Sequence, residues 1–129
     1  MKQTNRKGFT LAELLIVVAI IAVLVAIAIP VFTKQLHNAK VAAEVANCRA
    51  FYAELQAYYI ETGERNETVP TIDFPNPPYN WKSFTFLNGD VVNLKEGFFS
   101  LKFDTEKGYY GLYECDKGHH NHIYEIGKQ

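Results

Sequence analysis

Gly8-Phe9-Thr10-Leu11-Ala12-Glu13-Leu14 opens an apolar run, Leu15-Ile-Val-Val-Ala-Ile-Ile-Ala-Val-Leu-Val-Ala-Ile-Ala-Ile29, that ends at Pro30. Lys2, Arg6 and Lys7 precede it, and a single carboxylate, Glu13, interrupts its front edge. About 20 apolar residues span a bilayer as a helix. Such a segment must be helical there, because lipid offers its peptide groups no partners. A carboxylate at the edge of the run is expensive in lipid and therefore functional by default. The basic head fits the positive-inside rule, with the cytoplasm on the side of residue 1.

Two simpler readings exist. An ordinary secretory signal has an apolar core of about 7–15 residues and a small-x-small cleavage site, and Ala26-Ile27-Ala28 supplies such a site. Its core would be too long here, and Glu13 would weaken it. A permanent membrane anchor explains the length but gains nothing from Glu13.

The stretch Gly8–Leu14 and the helix after it resemble the class III signal of type IV pilins and pseudopilins. Ala12, where that family usually has a branched apolar residue, is a small departure. The resemblance implies cleavage between Gly8 and Phe9 by a prepilin peptidase that also N-methylates Phe9. It further implies an assembly role for Glu13 and a helix kink at Pro30. Residues 1–8 are then a leader, 9–32 a membrane anchor that becomes filament core, and 33–129 a globular headpiece. The implied partners are further copies of the chain in a helical filament, the peptidase/methyltransferase, and an inner-membrane platform with its ATPase. The implied location is the cell membrane as a single-pass protein, then the cell surface. Nucleic acid would be met only through the assembled filament.

Beyond Pro30 the pattern becomes amphipathic. Val41, Val45, Cys48, Phe51 or Tyr52, Leu55 and Tyr58 or Tyr59 recur every three or four residues, with Lys40, Glu44, Asn47, Arg49, Glu54 and Gln56 between them. The helix is expected to end near Glu61, before Gly63. From Phe9 that makes about 53 residues, roughly 80 Å at 1.5 Å per residue. Polar residues and four prolines make 63–81 a loop.

Strands are expected at Ser83–Leu87 and Val91–Leu94 around Asn88-Gly89-Asp90, at Phe98–Phe103, at Gly108–Cys115 and at Ile123–Ile126. The expected fold is α+β: a long N-terminal helix packed on an antiparallel sheet of three to five strands, the helix covering 33–62 of the headpiece and the sheet 82–129. Alternation turns Phe99, Leu101 and Phe103 to one face, away from Ser100 and Lys102, and turns Tyr109, Tyr113 and Cys115 inward.

Cys48 on the helix stripe and Cys115 on the fourth strand would then face one core. An exported destination permits a disulfide between them, adding about 4 kcal/mol in the chain-entropy model. Two buried free thiols are the alternative. Pilins often pair two late cysteines instead, and this chain departs from that pattern.

Cys115-Asp116-Lys-Gly-His119-His120-Asn-His122 holds metal-ligand types. His119 and His120 are adjacent and no C-x-x-C or H-x₃-H pair frames them, so they and His122 read as loop histidines, with no metal or cofactor expected. The chain carries 13 basic and 14 acidic side chains. Loss of Lys2, Arg6 and Lys7 would leave 10 against 14, with no basic patch for nucleic acid. No nucleophile, paired carboxylates or phosphate-binding glycine loop points to an enzyme. Tyr58, Tyr59, Tyr109, Tyr110, Tyr113 and Tyr124 read mainly as packing residues rather than an adhesive surface. The expected role is a structural subunit of a type IV pilus serving adhesion, motility or DNA uptake. A pseudopilin of a type II secretion or competence system is the alternative.

Overall fold

The computed structural model describes residues 7–71, 81–116 and 122–127. One helix, α1 (Leu11–Thr62), runs 52 residues and continues through Pro30. Proline removes one backbone donor, so the carbonyl four residues back loses its partner. One turn on, Thr33 Oγ1 donates to the Ile29 carbonyl at 2.9 Å. The helix ends as the sequence predicts. Gly63 takes φ 73°, its N–H donates to the Tyr59 carbonyl at 2.8 Å, and the left-handed turn closes the last carbonyls.

The structure divides between Leu36 and His37 into two compact units. In the first, every residue from Lys7 to Leu36 is exposed. This unit is long and apolar enough to cross a membrane, by length and composition.

The second unit carries five strands: β1 (Ser83–Thr85), β2 (Val91–Asn93), β3 (Gly97–Asp104), β4 (Gly108–Cys115) and β5 (Ile123–Ile126). They form two antiparallel sheets, β1-β2 and β3-β4-β5, within the α+β class expected. A bridge between Trp81 and Phe99 links their neighbourhoods. After β2, where the sheets separate, the N–H groups of Lys95 and Glu96 donate to the Glu44 carboxylate rather than to a strand. Gly89 occupies the first hairpin turn at φ 97°, where Asn88 Oδ1 accepts the Asp90 N–H at 2.9 Å. In the β3–β4 turn, Asp104 Oδ1 accepts the N–H groups of Glu106 and Lys107. Those bonds hold its carboxyl below the usual range.

The core lies between the C-terminal half of α1 and both sheets. Val41, Val45, Cys48, Phe51 and Leu55 are its helical side. Phe99, Leu101, Tyr109, Tyr113 and Cys115 supply the sheet side, on the faces that alternation predicts. Phe51 stacks on Phe84 at 4.6 Å between ring centres and meets Phe86 and Phe99 edge-on, so one ring joins the helix to both sheets. Tyr109 and Tyr113 are fully buried, and Tyr58, Tyr59, Tyr110 and Tyr124 partly so. Ser100, expected on the solvent face, is buried. It is small beside its same-face neighbours Phe98 and Lys102, and its Oγ reaches the Leu112 carbonyl at 3.4 Å.

Gly111 marks a tight point on β4. A Cβ there would stand 2.7 Å from both Cε2 and Cζ of Phe99. Gly111→Ala is expected to lower stability by about 1–3 kcal/mol through overpacking, measured as a thermal midpoint shift with the near-ultraviolet circular dichroism of the aromatic core.

Candidate functional site

The first group of candidate residues sits where the chain enters α1. Gly8 and Phe9 lie outside the helix, and Phe9 is 93% exposed, so the peptide bond between them is accessible. Glu13 makes a reciprocal pair with Thr10. The Glu13 N–H donates to Thr10 Oγ1 at 3.2 Å, and the Thr10 N–H donates to Glu13 Oε2 at 2.9 Å. This is a capping box, satisfying two amides that a helix start leaves without partners. Its signal, Thr-x-x-Glu before an apolar run, stands in the sequence at Thr10–Glu13 beside the more conspicuous charge. A carboxylate has about four acceptor positions, so Glu13 can cap its helix and still accept another donor.

The second group lies in the headpiece, around two buried carboxylates. Glu44, placed by the sequence among the polar residues between stripe positions, is only 8% exposed. Its Oε1 accepts the N–H groups of Lys95 at 2.6 Å and Glu96 at 3.0 Å, and its Oε2 accepts the Tyr113 hydroxyl at 2.7 Å. Three donors make the burial of this charge tolerable. Burial, then the bond to Glu44, raises the Tyr113 phenol well above its ordinary range. Periodicity held a weak clue to Glu44, which is next to Val45 and four residues before Cys48, yet no sequence signal announced its donors.

Glu96 is the other buried carboxylate, at 5% exposure. Its Oε2 lies 2.7 Å from His37 Nδ1, and Lys40 Nζ is 4.0 Å from its Oε1. A carboxylate only accepts, so His37 Nδ1 carries a proton toward Glu96, and Nε2 is the ring nitrogen on the other side. That Nε2 faces Cys115 Sγ at 3.7 Å. The Cys115 N–H donates to the His122 carbonyl at 3.1 Å, and the His37 and His122 ring centres are 5.6 Å apart.

Cys48 and Cys115 are both buried, as expected, and both are free thiols. The disulfide is not formed in this structure; Cys115 is instead turned to His37. Burial, with the Glu44 charge adding to it, pushes the Cys48 thiol up to about 12, so it stays protonated at neutral pH. His119 and His120 lie outside the described residues. Of the three loop histidines, His122 is placed beside Cys115, and its companion there is His37 from the helix.

Residues 3–29 match the family model described as a prokaryotic N-terminal methylation motif. The chain is 32% identical over 90 residues to the type IV major pilin protein PilE1 of Neisseria gonorrhoeae, covering 70% of this chain and 54% of that protein. It is 40% identical over 70 residues to the type IV major pilin protein PilA of Myxococcus xanthus, covering 54% and 32%. To the type IV narrow pilus major component PilA5 of Thermus thermophilus it is 46% identical over 76 residues, covering 55% and 60%. The chain thus spans less than two thirds of the length of each of these relatives. No solved structure matches it. With the methylation motif at its head, an exposed apolar helix behind it and a small unit of antiparallel strands, this chain is similar to the type IV pilins.

Proposed function

We propose that the chain is a structural, non-enzymatic subunit of a type IV pilus, cut between Gly8 and Phe9 and N-methylated at Phe9. The observation that carries this reading is the combination at the head of α1: an accessible Gly8–Phe9 bond, a carboxylate one turn further on, and an apolar helix exposed along its length to Leu36. Residues 9–32 hold the subunit in the membrane first and then pack against the same segment of other copies. The new amine at Phe9 meets Glu13 of a neighbour displaced along the filament axis. Glu13 keeps its bond to Thr10 while accepting from that amine. The pairing sets the axial register, and burial of the apolar helices supplies most of the adhesion. Pro30 loosens the helix between the packed segment and the headpiece. A peptidase/methyltransferase and a membrane platform with its ATPase complete the pathway. The relatives named major pilins favour a pilus over a secretion pseudopilin.

The test is the intact mass and amino-terminal sequence of the protein in sheared surface filaments. A chain beginning at methylated Phe9 is expected. A chain beginning near Ile29 would mean that an ordinary signal peptide had been removed, and would end this reading.

A further inference from the structure

The geometry points to a metal site in the headpiece, formed by His37, Cys115 and His122, that takes a borderline-soft divalent cation of the zinc type. One ligand atom from each of the three residues falls within 4.8 Å of the other two. They come from α1, the end of β4 and the residue just before β5. Zinc takes thiolate sulfur near 2.3 Å and imidazole nitrogen near 2.0–2.1 Å, so at tetrahedral angles a bound S and N stand about 3.6 Å apart. Cys115 Sγ and His37 Nε2 are 3.7 Å apart.

A second observation is the carboxylate behind the histidine. Glu96 Oε2 fixes His37 Nδ1 at 2.7 Å and aims Nε2 at Cys115. Metal-binding histidines nearly always have such a partner on the other ring nitrogen, which fixes the tautomer and raises ligand basicity. Glu96 is itself anchored, since its N–H donates to Glu44 and its carbonyl accepts the Asp116 N–H at 3.0 Å. Three protein ligands leave a fourth position for water or a small exogenous donor. Binding releases the Cys115 thiol proton to solvent. The thiolate and the Glu96 carboxylate together then balance the two charges of the cation. Bound metal ties the start of the headpiece helix to both ends of the β4–β5 connection.

The experiment is a Co²⁺ titration of the full chain in detergent micelles under reducing conditions, followed by displacement with Zn²⁺. A thiolate-to-cobalt charge-transfer band is expected, saturating at about one equivalent and lost on adding zinc. Cys115→Ala should abolish the band, and Cys48→Ala should leave it. His122→Gln, at a half-buried position, should weaken binding at least about tenfold, and Glu96→Gln about 10–100-fold. The proposal is overturned if folded protein shows no band, or if the band survives Cys115→Ala. It is equally overturned if protein isolated from cells without reductant carries a Cys48–Cys115 bond, which would consume the ligand. None of these results bears on the pilus reading.

Discussion

Subunits carrying Glu13→Ala or Glu13→Gln are expected to be cut after Gly8 and methylated to some extent, yet to be missing from sheared filaments. Removing one partner of a desolvated ion pair leaves the other charge buried, at a cost of about 3–5 kcal/mol per interface. The capping box gives the pair of variants separate meanings. Glutamine at 13 can still accept the Thr10 N–H, since Gln serves in that position as Glu does, so the helix start survives and only the charge is lost. Alanine loses both, and loss of a helix cap is worth about 0.5–2 kcal/mol. If charge pairing drives assembly, both variants fail alike. Filaments built from the Gln variant but not the Ala variant would assign Glu13 to capping alone. Normal filaments with Glu13→Ala as sole subunit would remove the assembly role altogether. The readout is the amount of subunit in the sheared fraction against the amount left in the membrane.

Glu44→Ala is expected to be the most damaging single change in the headpiece. It strips the acceptor from the N–H groups of Lys95 and Glu96 and from the Tyr113 hydroxyl. A buried donor left without a partner costs about 1–3 kcal/mol, so a loss of about 3–5 kcal/mol is expected after partial relaxation. For a unit of this size each kcal/mol moves the thermal midpoint by roughly 4–8 °C, which puts the shift above about 12 °C. Glu44→Gln keeps one carbonyl acceptor, and the amide can donate to the tyrosine oxygen. Its loss should be nearer 1–2 kcal/mol. Thermal unfolding of the full chain in detergent, followed by near-ultraviolet circular dichroism, reads both. A Glu44→Ala midpoint within a few degrees of the parent would show that these donors find other acceptors. Because Glu96 hangs on Glu44 through its own N–H, the same variant should also weaken the His37 arrangement.

Much of the fold was legible from local pattern. The helix end at Gly63, the Asn88-Gly89 turn and the inward faces of β3 and β4 follow from spacings of a few residues, and the structure keeps all of them. Glu13 was legible too, because a charge beside an apolar run is conspicuous, and Thr-x-x-Glu is the local pattern of its bond to Thr10. Glu44 and Glu96 were not legible. Polar residues on a surface helix and in a turn are ordinarily solvated, and nothing local distinguishes the two that are buried.

The sequence by itself determined the elements and the signal at the head of the chain, because helical period, strand alternation, turn chemistry and the apolar run are properties of neighbouring residues. Only the tertiary structure decided where the carboxylates, thiols and histidines meet. Glu44 finds its donors 51, 52 and 69 residues away, and His37 finds Glu96 and Cys115 at separations of 59 and 78. A carboxylate can enter the core only where donors converge on it. Here that convergence is produced by the register of β3 against β4 and by the break between the two sheets.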